Sequence, residues 1–463
     1  MARAITGGIT LAVVGGGACS IDALDLSDHA CPCVELYVCV ANRCVPPSSE
    51  SIFDSGSESG DEQRDASESG DEQRDASGSE SGDAQRDAPI DRASVPPIDA
   101  PSDGPSDAPM RPEQEASCTA NLMIDTDNCG SCGHSCLGGG CNAGACLPIT
   151  LVSGADVVGS IGLAVDATSV YWTNQNGASS AINKIGKTGG TPSFVVSGTA
   201  YSNVQDVATD GNGFVYWTLK GTNGSVQRAV PTGMSLTTIA SNQGNPDWIV
   251  SNGTTVFWTN QATNQVVSAP VDAGTVTPTR LNNTNENGTV PAGIAIDSTN
   301  VYYVTKTAGG GLAEYVPLAG GSVTELGSGS YSTIAVDDDN VYWTGGFASP
   351  AVYQNSKTGT PSTVSIIASG GTLSCPLHLA SDGTNVYFFD QGTDSSGNVK
   401  VGTGALYRVP IGNTGPLPPP LVSGLTNPQG MAVDAEAVYW VNSTVNVPAD
   451  AGITTGSVMK LAK

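Results

Sequence analysis

One short phrase, a valine followed by two aromatic residues, occurs seven times between residues 170 and 440. The intervals between successive copies run from 40 residues (301 to 341) to 52 residues (386 to 438). A repeat of this length, with short β-prone runs and Gly-containing turns in every unit, is typical of the four-stranded blades of a β-propeller. We therefore predict an all-β fold with seven blades. The copies begin at Val170, Val215, Val256, Val301, Val341, Val386 and Val438.

The two ends of the repeat region predict how the ring of blades closes. The last unit stops after its third strand, near Lys460, whereas Leu151–Gly154 precedes the first unit and matches Leu421–Gly424 letter for letter. We predict that residues 149–154 supply the missing fourth strand of the seventh blade, which removes an exposed sheet edge. The propeller domain is assigned to residues 148–463.

An Asp or Asn stands four or five residues before each aromatic strand. Such side chains close turns by accepting a hydrogen bond from a backbone N–H two residues on, so we predict seven structural turns. The alternative is a ring of calcium ligands, although no cofactor is expected. The seven residues are Asp166, Asp210, Asn252, Asp297, Asp337, Asp382 and Asp434. The two aromatics that follow alternate between sheet faces, and both are predicted to pack between blades.

The twelve cysteines fall mainly into two even-numbered clusters, a pattern typical of disulfides in an oxidising compartment. The pairing is left open. Zinc binding by Cys129 and Cys132 with His134 is the alternative for the second cluster, and the isolated Cys375 is predicted to be a buried free thiol. The segment 20–50 holds Cys31, Cys33, Cys39 and Cys44, and the module 118–147 holds Cys118, Cys129, Cys132, Cys136, Cys141 and Cys146.

Residues 1–19 have the character of a signal peptide, with one basic residue, an apolar stretch and small residues before Cys19. The junction Gly16–Ser20 resembles a bacterial lipobox, which implies that Cys19 is lipidated after cleavage. Ordinary cleavage without a lipid and a misassigned start are the alternatives.

Residues 51–117 form an acidic segment of low complexity, in which SESGDEQRDA at 57–66 is repeated at 67–76. The segment holds 18 acidic residues and 5 arginines, a charge of −13 and half of the chain's −26. It has almost nothing to bury, so we predict a disordered spacer; calcium buffering or partner binding are alternatives. The chain offers no basic patch for nucleic acid.

Catalytic residues are scarce, since the chain has three histidines and only His378 lies within the repeats. A nucleophile–base pair of Cys375 and His378 is disfavoured because residues i and i+3 on a strand face opposite sides. No catalytic, cofactor-binding or metal-binding residue is assigned, and an enzyme is disfavoured. The alternative is a lyase or hydrolase with a metal at the centre of the propeller.

The phrase Tyr171–Asn174, preceded by Leu163–Asp166, resembles the YWTD β-propellers of lipoprotein-receptor ectodomains and related bacterial surface propellers. The cysteine-rich segment ahead of it resembles those of predicted bacterial lipoproteins. The resemblance implies extracellular protein binding without catalysis.

We therefore expect an exported binding or scaffold protein of the cell envelope, an outer-membrane or cell-surface lipoprotein or a secreted monomer, that touches a membrane only through a lipid anchor. Its partner is expected to be a protein or glycan at the cell surface or in the periplasm, bound by long loops at Asn174–Ser180, Asp390–Gly404 and Asn442–Gly456. A spacer that binds no ligand is the remaining alternative.

Overall fold

The computed structural model describes residues 38–40, 43–45 and 119–463, apart from 273, 284–288, 308–309, 347–349, 394–397, 445–446 and 448–451. The predicted signal peptide, Cys19, Cys31, Cys33, Cys118 and the acidic segment lie outside these residues. A hairpin of β1 (Val38–Val40) and β2 (Arg43–Val45) lies in a separate unit, Ala23–Ser117. Within the described residues there is no α-helix, and no helix has the length and apolar character needed to cross a membrane.

The second unit holds a small cysteine-rich module and a seven-bladed β-propeller, as predicted. The module contains the hairpin of β3 (Cys141–Asn142) and β4 (Ala145–Cys146), and β5 (Ile149–Gly154) follows it. The first three blades then follow in chain order. They are β6 (Leu163–Val165), β7 (Ser169–Asn174), β8 (Ala181–Gly186) and β9 (Gly189–Ser197); β10 (Val204–Thr209), β11 (Val215–Leu219), β12 (Gly224–Ala229) and β13 (Thr237–Gln243); and β14 (Pro246–Ser251), β15 (Thr255–Asn260), β16 (Gln265–Pro270) and β17 (Thr279–Arg280).

Blades four and five share a continuous strand, because the first half of β21 pairs with β20 and its second half pairs with β22. The remaining blades keep separate sheets, and short 3-10 turns occur at Gly177–Ser179, Thr199–Tyr201, Gln261–Thr263 and Pro361–Thr363. The strands of blades four to seven are β18 (Val290–Ile296), β19 (Asn300–Lys306), β20 (Gly311–Pro317), β21 (Thr324–Val336), β22 (Asn340–Gly345), β23 (Ala351–Ser356), β24 (Ser365–Ser369), β25 (Pro376–Ser381), β26 (Asn385–Asp390), β27 (Gly404–Pro410), β28 (Val422–Leu425), β29 (Pro428–Val433), β30 (Ala437–Asn442) and β31 (Gly456–Ala462).

The seventh blade is closed by a strand from the other end of the domain. Strand β5 pairs antiparallel with β31, with Gly154 opposite Gly456 and Val152 opposite Val458. The seventh sheet therefore has the order β29-β30-β31-β5. The prediction that residues 149–154 complete this blade is confirmed.

Seven apolar cores fill the spaces between neighbouring blades, and each contains one aromatic of the repeated phrase from either side. Tyr171 of the first blade packs in the same core as Trp217 of the second, whereas the adjacent Trp172 packs in a different core with Tyr439 of the seventh. The alternation of side chains along a strand sends the two rings to opposite faces of their blade. The remaining cores hold the pairs Tyr216 and Trp258, Phe257 and Tyr303, Tyr302 and Trp343, Tyr342 and Phe388, and Tyr387 and Trp440.

The strands give the propeller two distinct ends. The turn from the first to the second strand of each blade lies at one end, which we name the turn face. The connection from the second to the third strand lies at the other end, the loop face. The inner strands line a central channel along the propeller axis; they are β6, β10, β14, β18, β21, β25 and β29.

Candidate functional site: the central channel and its two ends

The turn face carries the seven Asp or Asn residues selected from the sequence. Asp166 shows the shared geometry, since its Oδ1 accepts hydrogen bonds from the backbone N–H groups of Thr168 and Ser169, both at 2.8 Å. Its Oδ2 accepts a hydrogen bond from the hydroxyl of Tyr171 at 2.7 Å. Equivalent backbone bonds occur at Asp210, Asn252, Asp297, Asp337, Asp382 and Asp434.

One blade departs from this pattern in two coupled positions. Asn252 replaces the turn aspartate in the third blade, and Phe257 stands where six other blades have tyrosine. Phenylalanine has no hydroxyl, so an aspartate at position 252 would have a second carboxylate oxygen without a hydroxyl donor. The Oδ1 atom of Asn252 closes the turn, and its neutral amide avoids this unpartnered charge. The aspartate therefore serves two functions, turn closure and anchoring of the tyrosine hydroxyl.

Three turn carboxylates also bind a lysine of the next blade. Each lysine is the first residue after the third strand of its blade, and each ammonium lies 2.8 Å from the carboxylate oxygen. Burial raises the pKa of Asp382, but its lysine and the backbone donors outweigh this and hold the pKa at about 2. The pairs are Lys187 with Asp434, Lys357 with Asp297, and Lys463 with Asp382. These contacts give the turn face a structural role in joining blades.

The central channel contains a cavity of about 450 Å³. Its wall is largely apolar and includes Val207, Ile249, Ile294, Ile334 and Leu379 from five different blades. The wall residues nearest the turn face are partly exposed, whereas most of those nearest the loop face are buried and only Asp206 and Trp248 among them are partly exposed. The cavity is therefore a well that opens at the turn face and narrows toward the loop face, with a volume in the range of small-molecule sites.

The inner end of the well is formed by one equivalent residue from each inner strand, the constriction ring. The ring consists of Gly162, Asp206, Trp248, Gly293, Thr333, His378 and Gly430. Trp248 and His378 come from the third and sixth blades, and their ring centroids are 5.4 Å apart. Asp206, Trp248 and His378 line both the main cavity and a small cavity beyond it. Ile161 also lines both cavities, so these four residues separate the two cavities along the channel.

Close backbone contacts and unusual backbone angles restrict which side chains fit in the constriction ring. A methyl group on Gly162 would lie 2.7 Å from Oδ1 of Asp206, so this position has no room for one. Gly430 in the seventh blade has a φ of +41°, and His378 at the equivalent position of the sixth blade has nearly the same φ, +44°. The left-handed conformation costs a non-glycine residue about 1 kcal/mol or more. A histidine in this conformation is an outlier of the kind that clusters at functional sites.

A hydrogen-bond chain determines the tautomer of His378. Asn427 Oδ1 accepts a hydrogen bond from Gln429 Nε2 at 3.0 Å, so the oxygen of Gln429 faces His378. His378 Nε2 lies 2.8 Å from that oxygen and must donate to it. Burial lowers the pKa of His378 to about 4, so the ring is neutral near pH 7. Its Nδ1 is then a hydrogen-bond acceptor.

Asp206 in the constriction ring has three charged residues near it, Asp247, Lys220 and Lys306. Burial raises the pKa of Asp206 to about 7, and the nearby Asp247 adds to this, although the N–H groups of Ile249 and Val207 oppose it. Asp247 lies 3.7 Å from the ammonium of Lys220 and accepts a hydrogen bond from Gln261. Burial lowers the pKa of Lys306. Asp247 thus has cationic neighbours, whereas the described residues contain no salt-bridge partner for Asp206.

Asp206, Asp247 and Trp248 were not among the candidate residues selected from the sequence. A signal was present: when the seven units are aligned, Asp206, Trp248 and His378 occupy the position that is glycine in three units. His378, which the sequence did not favour as a catalytic base, is buried and hydrogen-bonded to Gln429, and it also lines the channel.

The three long loops predicted to bind a partner all lie on the loop face. They connect second to third strands in blades one, six and seven, which are consecutive around the closed ring. The described part of the loop at 391–403 is braced by two hydrogen bonds: the N–H of Gly402 donates to Thr426 Oγ1 at 3.0 Å, and the N–H of Lys400 donates to the Gly392 carbonyl at 2.8 Å. This loop exposes Lys400 and the apolar Val401.

The cysteine-rich module lies beside the seventh blade. Disulfides join Cys129 to Cys141 and Cys136 to Cys146, two of the pairings that the sequence left open. His134 contacts the carbonyl oxygen of Lys463 and that of Cys129, so the structure gives it backbone partners. Among the described residues, the only three-residue cluster with potential metal-ligand atoms within 4.8 Å is Cys129, Cys136 and Cys146, all in these disulfides.

The prediction for Cys375 is wrong in one respect. The residue is buried, as expected, but it is disulfide-bonded and is not a free thiol. Its backbone N–H donates to Asp390 Oδ1 at 2.7 Å, at the start of the first strand of the sixth blade. A cysteine without neighbours in sequence gives no sign of a bond to a distant partner, which is why the sequence pattern failed here.

No protein-family model matches the chain, and no curated protein matches it. Among solved structures, it is similar to a chain of a nidogen–laminin complex, with 18% identity over 52% of this chain and 88% of that one and a TM-score of 0.39. It is also similar to the β-propeller domain of the Trilobed protease from Pyrococcus furiosus, with 9% identity, coverage of 66% and 95%, and a TM-score of 0.45. It is similar as well to YCF48 from Cyanidioschyzon merolae, with 12% identity, coverage of 68% of this chain and 98% of that one, and a TM-score of 0.48. Likenesses at this level carry no argument about function.

Proposed function

We propose that this protein is an exported binding module whose propeller holds a protein partner on the loop face of blades six, seven and one. The observation that carries the proposal is the position of the long loops. Residues 391–403 and 443–455 are the longest connections between second and third strands, against 220–223 and 261–264 in blades two and three. They come from neighbouring blades at the same end of the propeller, and such loops on a rigid scaffold are common binding sites.

The exposed side chains favour a protein partner over a glycan. The braced loop of the sixth blade presents Val401, 43% exposed, beside the exposed Lys400. Apolar contact flanked by charge is typical of protein interfaces. Sugar rings pack on exposed aromatic faces, and among the described residues the only aromatic of the exposed large hydrophobics is Phe194, on the outer strand of the first blade.

The location is a second part of the proposal. We propose export and attachment through a lipid on Cys19, with the acidic segment as a spacer, and the two disulfides of the module support an oxidising compartment. Growth of the source cells with a radiolabelled fatty acid should label the wild-type chain and leave Cys19→Ser unlabelled. Labelling of both chains, or of neither, would contradict the anchor.

The binding surface is tested with the full chain bearing a C-terminal affinity tag. Wild type should capture a specific envelope protein, and Val401→Asp with Lys400→Glu should lose it. Asp338→Lys is the matched control, because Asp338 is exposed on the opposite, turn face. Loss of capture in the control with retention in the loop variant would place the interface elsewhere, and binding to immobilised glycans alone would contradict a protein partner.

A further inference from the structure

The well in the central channel is distinct from the loop-face surface and opens at the other end of the propeller. Its wall is built from the inner strands of all seven blades. From the constriction ring to the turn face each strand contributes about three residue steps, which corresponds to a depth of roughly 10 Å. An apolar chain of similar length, placed in this well, would exchange water for contact with isoleucine, leucine, valine and alanine side chains.

The groups at the inner end of the well share one electrostatic preference. Asp206 contributes a carboxylate that has no salt-bridge partner among the described residues. His378 is neutral and, because its Nε2–H is donated to Gln429, has its Nδ1 lone pair as its remaining polar atom. Trp248 contributes an aromatic face, which attracts cations. A carboxylate, a lone pair and a π face are all acceptors for a positively charged hydrogen-bond donor.

The lysines near Asp206 interact with a different carboxylate. Lys220 lies 3.7 Å from Asp247, and Lys306 also interacts with Asp247. An ionised carboxylate without a cation at the end of an apolar cavity carries a large desolvation cost. A ligand that supplies the missing positive charge would remove much of that cost.

We propose that the well binds a small amphiphile with an aliphatic chain and a primary ammonium head, the head held by Asp206, Trp248 and His378. The chain lies along the inner strands, and the head enters first from the turn face.

The test uses the full chain and octylamine, an eight-carbon primary amine, below its micelle concentration at pH 8 in low salt. Calorimetry should show saturable binding of one amine per chain. Octanol of the same length should bind at least about tenfold more weakly, and octanoate should not bind, because only the ammonium pairs with Asp206. Asp206→Asn should weaken the amine at least about tenfold and leave octanol unchanged.

A second variant covers the case in which Asp206→Asn fails to fold. Trp248→Phe retains a ring on a partly exposed residue, and it should weaken amine binding several-fold, because phenylalanine is a poorer cation acceptor than tryptophan. Val401→Asp on the loop face should bind amine like wild type, which separates this proposal from the proposed protein partner.

Three outcomes would overturn the proposal. The first is no saturable binding of octylamine up to millimolar concentration. The second is equal binding of the amine and octanoate, which would reveal apolar partition only. The third is a folded Asp206→Asn variant with unchanged affinity for the amine. If Asp206→Asn does not fold, unchanged amine affinity in Trp248→Phe is the corresponding outcome.

Discussion

The ammonium of Lys187 in the first blade lies 2.8 Å from the carboxylate of Asp434 in the seventh. This contact crosses the junction at which the two ends of the propeller domain meet. Beneath it, Trp172 and Tyr439 pack in the core shared by the same two blades, and β5 completes the seventh sheet. Strand pairing, core packing and a salt bridge therefore all stabilise the closure of the ring.

The salt bridge should contribute a measurable coupling energy. Both side chains are mostly buried, at 16% and 21% exposure, so we expect about 1 kcal/mol, at the upper end for pairs near a surface. Lys187 Nζ also lies 5.7 Å from the centre of the Tyr439 ring. A double-mutant cycle of Lys187→Met and Asp434→Asn, followed by urea unfolding, isolates the ion pair, because the lost ring contact is common to the single and double variants and cancels. Additive effects of the two substitutions would show that the contact does not stabilise the ring.

Deletion of residues 148–155 should abolish cooperative folding. Without β5 the third strand of the seventh blade becomes an open edge, and the ring loses the strand that joins its ends. Circular dichroism and a thermal melt of the truncated chain would measure this. A matched deletion of residues 57–66, one copy of the acidic repeat, should leave the melt unchanged. A truncated chain that is soluble and melts in one transition would disprove the role of the strand.

The coupled change in the third blade predicts a rescue experiment. Asn252→Asp alone should lower the free energy of unfolding by about 1 kcal/mol, because it places a carboxylate oxygen near Phe257 without a donor. The double variant with Phe257→Tyr should recover most of this, since the hydroxyl can donate as Tyr171 donates to Asp166. Phe257→Tyr in the wild-type background is the control. Equal stability of the single and double variants would refute the coupling.

The pKa shifts at the constriction ring predict an unusual pH dependence. The pKa of Asp206 is raised to about 7, so its contribution to stability increases as pH falls from about 7 to 4. The pKa of His378 is lowered to about 4, so its contribution is lost as pH falls from about 6.5 to 4. The two shifts correspond to roughly 3 to 4 kcal/mol each and oppose one another.

Wild type should therefore show little change in unfolding free energy between pH 4 and 7. Asp206→Asn should lose stability as pH falls through this window, and His378→Gln should lose stability as pH rises through it. Below pH 4 all three chains should weaken, because protonation removes the lowered-pKa turn carboxylates such as Asp382. Urea midpoints at pH 3, 4, 5.5 and 7 measure this, and parallel curves for the three chains between pH 4 and 7 would contradict it.

The local sequence determined the architecture of this protein. Seven copies of a valine–aromatic phrase at a spacing of one blade, and the matching Leu151–Gly154 and Leu421–Gly424, were sufficient to predict seven blades and the strand that closes them. These features are readable because each blade is built from contiguous residues and strand alternation assigns Tyr171 and Trp172 to opposite faces. The turn residues could also be predicted from the sequence, because each turn carboxylate accepts hydrogen bonds from backbone N–H groups only two to four residues further along the chain.

The central site was decided by the tertiary structure alone. Asp206, Trp248 and His378 are separated by up to 172 residues in sequence (206 to 378), and they converge only because ring closure brings equivalent positions of seven strands to one level of the channel. Their unusual character lies in burial and charge, which raise the pKa of Asp206 and lower that of His378. Burial depends on neighbouring blades, so no local pattern records it. The disulfide at Cys375 was missed for the same reason, because its bond is not to a neighbour in sequence.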